Sequence, residues 1–200
     1  MSSVKSPRLP IALLTCAAPL VITLSACGSQ SDTSSASTPS PTTAAAPANG
    51  CPTAAPDGQG TPEWTLKGTT GSVAVTGSTD TTAPMVKVDS PFSVGETQVH
   101  TLTAGSGPVV APTASVSVCY MGVDGRDGHV FDSSYERGTP ADFPLDGVVP
   151  GFQKAIAGQT VGSTVAVAMT SADGYPQGQP RAGIEPGDSL IFAIKILSAS

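Results

Sequence analysis

The chain has 200 residues, of which 12% are charged, and its 15 acids outnumber 9 bases for a formal charge of −6. That balance repels phosphate backbones and anionic lipid headgroups, so nucleic acid and anionic membrane surfaces are excluded as direct partners. With only His100 and His129, and no C-x-x-C pair, a metal site is not expected.

In chain order, Lys5 and Arg8 precede the apolar run LPIALLTCAAPLVITL, and LSAC ends at Cys27. A basic start, an apolar stretch and small residues at a cleavage point make residues 1–26 a secretory signal. The run is short for a membrane span. LSAC resembles the bacterial lipobox, which implies cleavage before Cys27 and a lipid on its sulfur. The mature protein would then sit on the extracytoplasmic face of the cell membrane. An uncleaved anchor, or a cut elsewhere, is the alternative. Removing 1–26 takes away two bases and no acid, which leaves 7 against 15 and a charge of −8. Export also sets the fate of the cysteines. Cys16 leaves with the signal, Cys27 takes the lipid, and Cys51 and Cys119 remain as a disulfide or as two free thiols.

Residues 27–60 are Ser, Thr, Ala, Pro and Gly with almost no large apolar side chain. Such a segment cannot bury enough surface to offset its ordering entropy. It reads as a flexible tether with a reach on the order of 30 Å. Residues 61–82 carry Trp64, Leu66, Val73 and Val75 at period two around a Gly/Thr break, the pattern of a small hairpin. Trp64 reads as its packing anchor.

From 83 to 200 the patterning is that of one domain. APMVKVDSPF, TQVHTLTAG, TASVSVCYMG, STVAVAMTS and SLIFAIKILS are the candidate strands. Alternation places Val116, Val118 and Tyr120 on one face and Ser117 and Cys119 on the other. It likewise groups Val165, Val167 and Met169, and Leu190, Phe192, Ile194 and Ile196. PGFQKAIAG is the one helix: Pro150 suits the first turn, Phe152 and Ile156 share a face, and Gly158 suits the end. The class is α+β with an antiparallel sheet.

Several chemistries drop out. Ser133 and Ser134 have no G-x-S-x-G elbow around them and read as turn residues. There is no GxxxxGK loop. DGRDG at 124–128 is too short for a calcium loop and lacks the closing Glu, so it reads as a hairpin turn. What remains is a clustering of aromatics between residues 120 and 192: Tyr120, Phe131, Phe143, Phe152, Tyr175 and Phe192. They make either a plain core or an apolar cleft holding a few polar groups.

Order and spacing favour the cleft. A Y-x-G strand end, a DG turn, FDSS, a downstream Arg, VVPGF, a following VG and GIEPGDSLIF resemble the FKBP-type peptidyl-prolyl cis–trans isomerases across about 95–200. The resemblance implies a twisted antiparallel half-barrel wrapped on one short helix, with an apolar pocket between. Carried over by position, Phe152 is the pocket floor beside Val148 and Val149. Phe131, Phe143 and Phe192 are its walls. The Ile184 N–H and the Tyr175 hydroxyl hold substrate carbonyls. Asp132 is a fixed carboxylate paired with Tyr120 and Arg137. The chain departs from the family where Phe152 replaces a usual Trp, Ala141 a common aromatic and Pro176 a usual Gly. The 145–148 loop is also shortened. The implied activity is isomerisation of X-Pro bonds in exported proteins, by a monomer, with no cofactor. The alternatives are a low-activity module that holds Pro-containing segments, and an envelope structural protein.

Overall fold

The computed structural model describes residues 50–58 and 60–200; the signal segment, Cys27 and most of the tether lie outside the described residues. Two antiparallel sheets organise the described chain. The smaller contains β1 (Trp64–Lys67), β2 (Thr70–Thr76) and β3 (Met85–Ser93) in that order. The larger has the order β4 (Gln98–Thr103), β8 (Thr164–Met169), β9 (Leu190–Ala199), β5 (Ser115–Asp124), β6 (Val130–Ser133). The remaining strand, β7 (Ala141–Pro144), pairs with the first half of β5. The larger sheet is not closed into a barrel. Its core helix is α2 (Pro150–Ile156), and a single helical turn, α1 (Ser134–Arg137), follows β6.

Both faces of the larger sheet's central strands, β8 and β9, are buried, and this sets the layering. On the front, Val116, Val118, Val165, Val167, Leu190, Ile194 and Ile196 pack with Ala155 and Ile156 of α2. Pro150 opens that helix, where its missing N–H costs nothing, and Gly158 follows its end at φ +82°. Gly151 lets the helix sit close: a Cβ there would meet Met169 Sδ at 2.7 Å. On the back, Val123, Ala166, Ala168, Ile191 and Ala193 meet Val73, Val75 and Phe92 of the smaller sheet. The alanines of β8 and β9 are what let a second sheet approach. Burying each Val or Phe contributes about 1.5–3 kcal/mol, which a lone two-stranded hairpin in water cannot collect.

Three expectations change here. APMVKVDSPF, read as part of the 83–200 domain, pairs with β2 and makes the 61–82 hairpin three-stranded. The apolar residues Val86 and Val88 share the inward face with Val73 and Val75, so β3 completes a surface that two strands leave half open. Second, the end of the tether is folded: Cys51 is buried and bridged to Cys119, with Cα atoms 5.6 Å apart. The Cys51 N–H donates to the Gly138 carbonyl at 3.2 Å, and the Ala83 N–H to that of Ala54 at 2.8 Å. Third, Ser133 and Ser134 begin a helical turn: Ser133 Oγ accepts from the Glu136 N–H, and Gly138 closes it at φ +69°. The bridge lies where alternation places Cys119, opposite Tyr120. Trp64 does anchor packing: its ring stacks on that of exposed His100, with centroids 5.7 Å apart.

Candidate functional site

The pocket grows from two adjacent features of β5 and one of α2. Tyr120 faces forward from β5 with Gly122 two residues on. A Cβ on Gly122 would meet Phe131 at 2.6 Å and Phe192 at 2.8 Å, so only glycine admits both rings. Those rings meet edge to face at 5.5 Å. Phe152, on the first turn of α2, is 5% exposed and touches three aromatics. It lies 5.4 Å from Phe192, 5.8 Å from Phe143 and 5.9 Å from Tyr120, each near perpendicular. Such edge-to-face pairs hold rings at defined angles, each adding roughly 0.5–1.5 kcal/mol beyond burial.

These rings do not fill their own space. They surround a cavity of about 360 Å³ lined by Tyr120, Phe131, Asp132, Phe143, Val148, Val149, Phe152, Tyr175 and Phe192, with Gly147. Of the eleven residues expected here from the sequence, nine meet in it; Arg137 and Ile184 do not line it. That volume suits a small ring and its flanking atoms.

The polar side of the cavity is a network centred on Asp132. Tyr120 donates its hydroxyl to Asp132 Oδ2. Arg137 Nη1 donates to Oδ1 at 2.5 Å, and Nη2 to the Tyr120 hydroxyl at 3.2 Å. Burial pushes the Asp132 carboxyl up, but the hydrogen bonds from Tyr120 and Arg137 and the guanidinium charge outweigh it and hold the carboxyl below its ordinary range. It is therefore an anion at neutral pH. Burial, then the Asp132 bond, pushes the Tyr120 phenol up to about 12, so it stays a donor. Beneath the network, Ser134 Oγ accepts from the Tyr120 N–H at 2.8 Å and lies 3.4 Å from Cys51 Sγ. The disulfide on the back is thus one contact away from the site on the front.

The backbone donors differ from expectation. The Ile184 N–H already donates to the Gln179 carbonyl at 3.2 Å, and Ile184's side chain is buried in the core. By contrast, the Val149 N–H has no hydrogen-bond partner among the described residues. Val149 precedes α2 as its N-cap and lines the cavity. The first N–H groups of a helix have no internal acceptor. Position before Pro150 was the signal that could have found it. Tyr175 lines the cavity, and its hydroxyl makes no hydrogen bond among the described residues. On the far side of α2, Lys154 Nζ donates to Asp173 at 2.7 and 2.8 Å, which ties the helix to the turn before Tyr175. No local pattern in the sequence marks this pair, whose members lie 19 residues apart. No group of His, Cys, Asp and Glu among the described residues could hold a metal ion.

What such a site does chemically is constrained: an aromatic cavity, one fixed anion and free donors, with no nucleophile aimed inward. It can bind an apolar ring and act on an adjacent amide without breaking a bond. Comparison with known proteins agrees. A family model for FKBP-type peptidyl-prolyl cis-trans isomerase matches residues 105–197. The chain is 34% identical over 102 residues to a probable FK506-binding protein of Corynebacterium glutamicum, covering 50% of this chain and 85% of that one. It is 37% identical over 100 residues to the FKBP-type 22 kDa peptidyl-prolyl cis-trans isomerase of Escherichia coli K12, covering 50% of this chain and 48% of that one, so it spans about half that relative's length. The N-terminal domain of FKBP42 from Arabidopsis thaliana aligns with TM-score 0.50 at 14% identity, over 53% of this chain and 87% of that one, a likeness of fold alone.

Proposed function

The chain belongs to the FKBP-type peptidyl-prolyl cis–trans isomerases, and we propose that it isomerises X-Pro bonds of exported proteins outside the cytoplasmic membrane, held there by a lipid on Cys27. The observation that carries the isomerase part of this reading is the aromatic cavity over Phe152 with the Asp132 anion at its rim; export and the lipid rest on the signal-like residues 1–26 and the resemblance of LSAC to a lipobox.

Rotation about an X-Pro amide faces a barrier of about 18–20 kcal/mol, because it destroys resonance. No bond breaks, so the site needs only to bind the twisted amide better than the planar one. Twisting makes the carbonyl less polar and the nitrogen more basic. An aromatic cavity tolerates the weakly polar carbonyl better than water does. The proline ring sits on Phe152 between Val148 and Val149, against Phe131, Phe143 and Phe192. Val149 N–H and the Tyr175 hydroxyl hold substrate carbonyls. Asp132, fixed by Tyr120 and Arg137, orients and polarises without transferring a proton. Each 1.36 kcal/mol of selective stabilisation gives about tenfold in rate.

A protease-free isomerisation assay on an X-Pro peptide tests the reading. Wild type exceeds buffer, and Phe152→Ala lowers kcat/KM by at least about tenfold. Activity equal to buffer with measurable peptide binding would instead make this a module that holds Pro-containing segments. Phe152 in place of a Trp and Ala141 in place of an aromatic favour that second reading. Neither activity nor binding would leave an envelope structural protein.

A further inference from the structure

A second groove opens beside the cavity and shares Phe131, Asp132 and Tyr175 with it. Its volume is about 270 Å³, and its outer wall is the loop carrying Gln179, Arg181, Ala182 and Ile184. The shared wall puts this groove within reach of a residue flanking a proline that fills the cavity.

That loop is held in shape. Gln179 and Ile184 exchange both backbone hydrogen bonds, at 2.8 and 3.2 Å. Gly183 takes φ +73°, a conformation that favours glycine, and its carbonyl accepts from Arg126 Nη2 at 2.9 Å. Arg126 Nε donates to Asp188 Oδ2 at 3.2 Å, and that oxygen also accepts the Glu185 N–H at 2.7 Å. Arg126 comes from the DGRDG turn, whose Asp124 is buried beside it. The turn therefore does more than reverse the chain: its arginine braces the groove wall. A preformed groove saves the ordering cost of a loop that folds on binding.

The charges around the groove are unequally committed. Arg137 is paired with Asp132, Lys154 with Asp173, and Arg126 with its acids. Arg181 is exposed and has neither an ion pair nor a hydrogen bond among the described residues. The Asp132 anion is answered by Arg137 and Tyr120, so it does not cancel Arg181. Glu185, on the same loop, lies 3.9 Å from Arg126. In a chain of net charge −6, this places an uncommitted cation at the mouth of a substrate groove.

We propose that this groove takes a residue flanking the isomerised proline and that Arg181 makes it prefer an acidic side chain. The inference rests on the prolyl-isomerase reading of the neighbouring cavity. An exposed pair of this kind is worth roughly two- to fivefold in kcat/KM or Kd.

The test uses the full chain and two sets of short X-Pro peptides. One set carries Glu, Ala or Lys before the proline and the other carries them after it; isomerisation and binding are both measured. At low salt, one set follows the order Glu, Ala, Lys. Arg181→Glu reverses that order, and about 0.5 M NaCl shrinks it. Equal handling of Glu, Ala and Lys in both sets overturns the proposal while leaving the isomerase reading intact. So does a preference that survives Arg181→Glu. Binding in the expected order without turnover keeps the groove and removes the isomerase reading. Binding of no peptide overturns both.

Discussion

The two faces of the larger sheet use the same strands to opposite ends. On the back, Ala166, Ala168 and Ala193 shorten the side chains, and a second sheet closes onto them. On the front, Phe152, Phe192, Phe131 and Tyr120 are large, and they leave an unfilled cavity. The alanines of the larger sheet make room for Val73, Val75 and Phe92 of the smaller one, so the back is closed. Rigid rings meeting near perpendicular cannot collapse on one another, so the front stays open. Volume at a face does not decide whether it is filled; the shape of the side chains does.

The back face is where stability should break first. Replacing Cys51 and Cys119 together by Ser opens a crosslink spanning 68 residues, which costs about 4 kcal/mol on the loop-entropy argument. Denaturant titration reads that loss, and the isomerisation rate well below the midpoint stays near wild type. A smaller break comes from Ala168→Leu, which pushes methyl groups into the closed interface. It should destabilise by about 1–3 kcal/mol without changing KM.

The front face should break in activity instead. Asp132→Asn removes the anion and leaves Arg137 unanswered; kcat/KM falls about tenfold. The Tyr120 phenol then titrates below its present value of about 12, because a cause of that rise is gone. An unmoved phenol titration would contradict the network. The smallest effect is in pH. Burial pushes Asp124 up to about 6, followed by the effect of neighbouring Asp188. A carboxyl raised on folding binds its proton more tightly in the folded state, so its stability is lost as pH rises from about 4 to 6. Wild type should therefore gain stability on going from pH 7 to 5, and Asp124→Asn should lose that gain. Asp132 has the opposite sign: its contribution is kept above the ordinary carboxylate range and lost only below it.

Much of the site was legible. Phe131, Asp132, Phe143, Phe152, Tyr175 and Phe192 were found because their order and spacing carry a family resemblance. Alternation along β5 also put Cys119 behind Tyr120. The rest needed partners distant in sequence. TVAVAM alternates Val and Ala, which reads equally as one buried face or two; only the arrival of Val73 and Val75 decides it. The resemblance implied a free donor at Ile184, and nothing local reveals that the Gln179 carbonyl takes its N–H. Arg126 read as part of a turn, since its acceptor lies 57 residues away.

What the sequence by itself determined from local pattern is which faces of each strand are apolar and where α2 starts; the aromatics and the acid assigned to the site came from the family resemblance across about 95–200. Period and turn chemistry act over a few residues, so they survive without a structure. Only the tertiary structure decided that the tether's end is bridged to the sheet, that β3 serves the smaller sheet, and that the DGRDG turn braces a groove. Each of these depends on groups brought together by the fold from far along the chain, and no local pattern records which pairs will meet.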